Sequence, residues 1–133
     1  MWLYNDKEIG DEDIEGYVSF VYRITNLETG RQYIGKKVLK TYQKKKVKGK
    51  TRKKKVEKES KWREYFGSNL NLLADVEKLG RDKFKREILK LCKTRGTANY
   101  WEAWYQMNES VLESDNYYND HIWVRVHRSH IKP

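Results

Sequence analysis

Only one proline, Pro133, and one cysteine, Cys92, occur among the 133 residues. A lone cysteine excludes an internal disulfide, and its place in the apolar run Ile88-Leu89-Lys90-Leu91-Cys92 suits a buried thiol in a reducing cytosol. No apolar run reaches the roughly eighteen residues that a membrane-spanning helix needs. Met1-Trp2-Leu3-Tyr4-Asn5-Asp6 also lacks the basic-then-apolar order of an export signal, so a cytoplasmic, unsecreted protein without a membrane partner is expected. Histidine is scarce too. His121, His127 and His130 all fall near the C-terminus without metal-ligand spacing, and no glycine-rich phosphate loop is present. Zinc, nucleotide and serine-hydrolase chemistries therefore find no support.

Positive charge is abundant and unevenly placed. The net charge is +10 and the pI near 9.6, with 36% charged residues and a mean hydropathy of -1.03, yet aromatic residues at 14% supply enough area for one modest core. Residues 1–16 hold six acids and one lysine, which reads as an acidic, solubilising N-terminal segment. From Lys36 to Lys58 thirteen lysines and arginines face one glutamate, a local charge of +12. Such a block repels itself and is expected to be an extended loop, inserted over residues 38–60, until a polyanion neutralises it. Lys44, Lys45, Lys46, Arg52, Lys53, Lys54 and Lys55 would then bind nucleic acid through its phosphates, in a salt-sensitive and sequence-independent way.

Around this block the chain reads as one domain spanning residues 1–133, of the α+β class, with residues 120–133 as a tail. The run Tyr17 to Ile24 alternates, with Val18, Phe20, Tyr22 and Ile24 on one face, and Arg31 to Gly35 follows a turn-prone Asn26-Leu27-Glu28-Thr29-Gly30. A hairpin is expected. Leu72, Leu73, Val76 and Leu79 recur at helical spacing between Ser68, a candidate N-cap, and Gly80. Phe84 to Leu91 has the length and pattern of a third strand against the hairpin, and Thr97-Ala98-Asn99 opens a second helix whose Trp101, Trp104, Tyr105, Asn108, Val111 and Leu112 form one apolar face. The expected architecture is a three-stranded, mostly antiparallel sheet flanked by helices, with the lysine-rich loop inserted.

The hairpin brings Tyr22 and Tyr33 to one cleft, with Arg23, Lys36 and Lys37 close behind. Those cations would attract a phosphate diester and favour an ionised phenol. Val21-Tyr22-Arg23 and Tyr33-Ile34-Gly35 resemble the two signature tripeptides of the GIY-YIG nuclease family, and the ordered tract from Tyr65-Phe66-Gly67-Ser68 to Ile88-Leu89 resembles its small phage-type, homing-endonuclease-like members. The second tripeptide is intact. In the first, Phe20-Val21 stand where the family has glycine and isoleucine. The resemblance spans roughly Tyr17 to Asn119, with the basic insertion unaligned.

This resemblance implies a DNA endonuclease using one Mg²⁺ or Mn²⁺ per site, acting on duplex or branched DNA as a monomer or weak homodimer. If the chain is phage-encoded, it would work in the host cytoplasm. It further implies Tyr22 and Tyr33 as catalytic phenols, one of them the general base, and Glu102, on the helix after the third strand, as the metal ligand. Arg63, or its rival Lys61, takes the place of the arginine that meets the scissile phosphate. Lys37 stands in for a histidine or lysine of relatives, and Tyr65 for a histidine of some. Asn119, in a Tyr-Asn step, completes the set beside the substrate contact Lys36. Two other classes stay open on the residues alone: a nucleic-acid-binding protein without catalysis, and a phage accessory protein that engages a host protein.

Overall fold

The computed structural model describes residues 1–46, 49 and 53–131, and for residues 43–46 and 53–55 it describes the main chain only. The strands are β1 (Trp2–Tyr4), β2 (Lys7–Glu8), β3 (Ser19–Asn26), β4 (Gln32–Val38), β5 (Lys40–Lys46), β6 (Lys53–Glu59) and β7 (Phe84–Cys92), and the helices are α1 (Leu70–Leu79), α2 (Arg95–Asn108) and α3 (Arg128–Ile131).

The hairpin forms because its turn is wired locally. Asn26 Oδ1 accepts from the main-chain N–H groups of Glu28 and Thr29 at 3.0 and 3.2 Å, and Gly30 takes the positive φ of 78° that reverses the chain. β3 then pairs antiparallel with β4, setting Tyr22 opposite Gly35, and with β7 on its other side. Between Val21 and Tyr22 the β3–β7 register shifts, so a bulge sits at the first tyrosine. Bulges of this kind bend a strand and re-aim a side chain.

The sheet has five strands in the order β2-β1-β7-β3-β4, not three, and it is mixed. The acidic N-terminal segment adds the extra pair. Trp2-Leu3-Tyr4 runs parallel to β7, with the Trp2 ring buried and its Nε1–H donating to the Trp62 carbonyl at 2.8 Å. The lysine-rich insertion is a second correction. Its main chain forms a two-stranded ribbon, β5 with β6, paired from Lys40 opposite Glu59 out to Lys46 opposite Lys53. Near its base a Lys40–Glu57 ion pair at 3.1 Å crosses the strands. Farther out Lys44 faces Lys55, and Lys45 faces Lys54.

The two faces of the sheet carry different partners. Phe20, Tyr22 and Ile24 pack with Trp2, Trp62, Phe66, Leu72 and Val76, which brings α1 and the turn of 3-10 helix at Trp62–Glu64 onto one face. On the other, Val21, Ile34 and Val111 form a smaller cluster beside α2. Helix α1 starts one residue later than Ser68 would have it, capped by Asn69, whose side chain accepts from the N–H groups of Asn71 and Leu72. Helix α2 is capped by Thr94, and it buries Ala98, Ala103 and Gln106 rather than a tryptophan face. Trp101 is half-buried, whereas Trp104 is 42% exposed. Small side chains let α2 approach the sheet closely, and this brings Glu102 up to the edge of β4. Among the described residues no helix is long and apolar enough to cross a membrane.

Candidate active site

Strand β4 is the edge of the five-stranded sheet, and the groups that cover its rim define the site. An exposed edge offers unpaired main-chain donors and acceptors, which native proteins cap. At Gln32 the cap is main chain: the Gln32 N–H donates to the Asn116 carbonyl and its carbonyl accepts from the Tyr118 N–H, each at 2.8 Å. At Ile34 it is side chain. Asn119 accepts from the Ile34 N–H at 3.1 Å and donates to its carbonyl at 2.8 Å, and Gln106 Nε2 donates to the same carbonyl at 2.9 Å. At Lys36 the main-chain N–H faces the Glu102 carboxylate closely enough to favour its ionised form. Glu102 and Gln106 lie one helical turn apart on α2, so one face of that helix serves two successive positions of the rim.

The phenols lie on the face of β4 reached by Tyr33 and Gly35. The Tyr22 and Tyr33 rings are 6.2 Å apart between centroids, and Tyr65 meets Tyr22 edge-on at 5.8 Å. Gly35 makes this stacking possible. A Cβ there would fall 2.5 Å from the Tyr22 Oη and 3.0 Å from Tyr33 Cε2, so the glycine of Tyr33-Ile34-Gly35 is needed for space and not for an unusual φ. Tyr22 is 1% exposed, whereas Tyr33 is half-buried and its hydroxyl lies 3.3 Å from Ser68 Oγ. Lys37 Nζ sits 4.5 Å above the Tyr65 ring centre.

Burial dominates the electrostatics. It pushes the Tyr22 phenol well above its ordinary value, with the neighbouring Tyr65 and Tyr33 and the Glu102 charge acting in the same direction. Tyr33 is also raised, chiefly by burial, against the opposing hydrogen bond from Ser68. The expectation that nearby cations favour a phenolate is thus reversed in the free protein, because desolvation outweighs them. The Glu102 carboxyl is likewise raised by burial, opposed by the charges of Lys36 and His121 and by the Lys36 N–H. Among the described residues it has no ion pair. Burial thus leaves it partly desolvated, without an opposite charge in ion-pair contact.

Other residues singled out in the sequence lie elsewhere or are otherwise engaged. Arg63 Nη2 meets Asp11 at 2.7 Å and its Nε meets Glu59 at 2.9 Å, while its guanidinium covers the Trp62 ring at 4.4 Å. The acidic segment thereby reaches across to the arginine expected to meet phosphate. Lys61, its rival, is exposed. Arg23 points away from the phenols into ion pairs with Glu87 and Glu109. Lys36 Nζ donates to Asn99 Oδ1. Asn119, expected among the substrate contacts, has its carboxamide committed to the Ile34 main chain. Arg52 lies outside the described residues, and Lys44, Lys45, Lys46, Lys53, Lys54 and Lys55 are placed by their main chain alone.

Three participants were not legible as such. His121, set aside as part of a tail, faces Glu102 closely enough to lower its pKa and pairs with Asp120 at 2.6 Å. Its one signal is adjacency to Asn119. Ser68 supplies the hydroxyl beside Tyr33. Arg86, buried under Phe66 and Trp2, donates to the carbonyls of Arg63 and Tyr65 at 3.0 and 2.8 Å and so fixes the segment that carries Tyr65. Desolvation lowers the Arg86 pKa to about 10.

A cleft of about 310 Å³ opens beside Tyr33, between the start of α1 and the chain at Asp120 and His121. No group of three or more His, Cys, Asp or Glu side chains could hold a metal ion among the described residues. Any cation at Glu102 must therefore take the rest of its ligands from water and substrate. That donor set, one carboxylate oxygen and water, is what Mg²⁺ or Mn²⁺ accepts and what zinc does not prefer.

No curated protein and no solved structure shows a significant match to the chain. Residues 2–122 match the family model of the GIY-YIG domain of endonuclease segE, a span that takes in every strand, both long helices and the paired tyrosines, Glu102 and Asn119. With both tyrosines stacked over the glycine of the second motif and that match covering nearly the whole chain, the protein belongs to the GIY-YIG nuclease family.

Proposed function

We propose that this single-domain protein hydrolyses phosphodiester bonds of DNA, duplex or branched, at the site formed by Tyr22, Tyr33 and Glu102 with one divalent cation. The observation that carries the reading is the unpaired, desolvated Glu102 carboxylate beside the edge strand β4, which carries Tyr33 stacked near Tyr22 of β3. Glu102 would hold Mg²⁺ or Mn²⁺, which when bound neutralises the scissile phosphate and the departing oxygen.

The chain's own groups divide the remaining work. Tyr33, the more accessible phenol, takes the proton from the attacking water once ionised; Tyr22, sealed in the core, stays a phenol and donates a hydrogen bond. A water oxygen bonds to phosphorus, the P–O3′ bond breaks, the departing O3′ takes a proton from solvent water, and the products carry a 5′ phosphate and a 3′ hydroxyl. Lys37 and Lys36 draw in the phosphate. Arg63 stabilises charge on the pentavalent phosphorus after exchanging Asp11 for it. Lys44, Lys45, Lys46, Arg52, Lys53, Lys54 and Lys55 bind the phosphates of the backbone, and Asn119 acts by holding Ile34, hence Tyr33 and Gly35, in place. The protein would act in the cytoplasm as a monomer or weak homodimer.

One observation favours a second reading, a DNA-binding protein without catalysis: burial raises both phenols, which opposes base catalysis at neutral pH. Supercoiled plasmid and a branched duplex, incubated with Mg²⁺ or Mn²⁺, separate the two. Cleavage by the native protein, abolished in Glu102→Ala with DNA affinity kept, is expected. Absence of cleavage on both substrates with both metals would support the binder.

A further inference from the structure

We infer that the cleft beside Tyr33 receives a nucleobase swung out of the stack, so that the preferred DNA carries an unpaired nucleotide next to the scissile phosphate. This rests on the hydrolytic reading above, since it presumes a phosphate at Glu102 and Tyr33.

The lining chemistry argues for a base and against a backbone. Tyr33, Ser68, Asn71, Asp120 and His121 offer a phenol face, hydroxyl, amide, carboxylate and imidazole, and no lysine or arginine among the described residues lines the cleft. A groove that follows phosphates needs cations. A carboxylate repels phosphates, but it accepts readily from the exocyclic amine of a base, and amides and hydroxyls match base edges. The Asn69 side chain, which also lines the recess, is spent on the cap of α1 and on the Tyr118 carbonyl at 2.9 Å. Those of Asn71 and Ser68 are exposed at the mouth.

Two exposed apolar side chains, one at the mouth of the cleft and one on the chain just beyond it, would hold a base out of its stack. Leu70, at the mouth, is 82% exposed, and Trp123 is 74% exposed. Burying a side chain of this size is worth about 1.5–3 kcal/mol, and the fold leaves both in water. Trp123 lies two residues beyond His121, with Ile122 between them packed on the Val21, Ile34 and Val111 cluster, and its own ring stands in solvent. Aliphatic wedges and aromatic platforms are the means by which proteins unstack and retain a base. The distance of the cleft from the phosphate site is one residue, Tyr33, which borders both.

The test measures the affinity of full-length Glu102→Gln, which removes the metal-binding charge, for three duplexes of one sequence: fully paired, with a single mismatch, and with one base opposite an abasic site. At least tenfold tighter binding to the two disrupted duplexes is expected. Leu70→Ser combined with Trp123→Ala, both exposed positions, should erase that preference while leaving affinity for the paired duplex unchanged. Equal affinity for all three duplexes, or a preference that survives the double substitution, overturns the inference. Because binding is read without cleavage, an inactive native protein that keeps the preference counts against hydrolysis and not against the cleft.

Discussion

Replacing Gly35 by alanine adds one methyl group at the point where both phenols meet β4. Its Cβ would lie 2.5 Å from the Tyr22 Oη, 2.7 Å from Cζ and 3.0 Å from Tyr33 Cε2, where ordinary contact begins at 3.4 Å. Relief requires the Tyr22 hydroxyl to retreat by about 1 Å. It has little room, because its ring is wedged against Trp2, Phe20, Tyr33 and Tyr65. Overpacking of this kind costs about 1–3 kcal/mol. That is less than the roughly 5–15 kcal/mol that holds a domain folded, so the variant remains folded at 25 °C with a Tm lower by several degrees. A displacement of about 1 Å in a reacting group costs about 100-fold in rate. Plasmid cleavage about 100-fold slower, in a protein whose circular dichroism at 25 °C matches the native one, is the expected result. Cleavage within about threefold of native would refute the steric role assigned to Gly35.

Three further outcomes follow from the same geometry. Asn119→Ala leaves the buried Ile34 N–H without its acceptor, although Gln106 still serves the carbonyl; a loss of about 2 kcal/mol, read as a lower Tm and faster amide exchange at Ile34, is expected. Neutralising Lys44, Lys45 and Lys46 to glutamine should flatten the dependence of log affinity on log salt by about 3, since each phosphate contact contributes about 0.9, with catalysis at saturating DNA unchanged. With the Tyr33 phenol raised by burial, its ionised fraction grows tenfold per pH unit below that pKa, so the cleavage rate should climb with a slope near one from about pH 6 to 9; a plateau near pH 7 would remove Tyr33 as the base.

The hairpin and α1 were legible because period-two alternation, a turn bounded by Asn26 and Gly30, and a capped helical stripe each specify local structure without help from the rest of the chain. β1 was not. Three residues, Trp2-Leu3-Tyr4, carry too little pattern to stand out from an acidic segment, and they become a strand only through pairing with β7. Charge repulsion argued for an extended lysine loop, yet Thr41, Tyr42 and Val56 favour strands and the Lys40–Glu57 pair ties the base, so the main chain pairs despite lysine facing lysine farther out. On α2, counting tryptophans misjudged the inward face, because close approach to the sheet selects alanine. That the tyrosines, Glu102 and Asn119 would fall around one edge of the sheet was visible through motif order. His121 was not, since only the return of the chain along β4 carries it to Glu102.

In the function proposed above, Glu102 and the two phenols form one metal-dependent site. Crystals of the full chain with a DNA duplex and Mn²⁺, measured at the manganese absorption edge, test it most directly. One strong anomalous peak is expected about 2.1 Å from a Glu102 carboxylate oxygen, sharing a phosphate oxygen with the DNA beside Tyr33. Manganese bound elsewhere, with the Glu102 carboxylate turned from the phosphate, would contradict it.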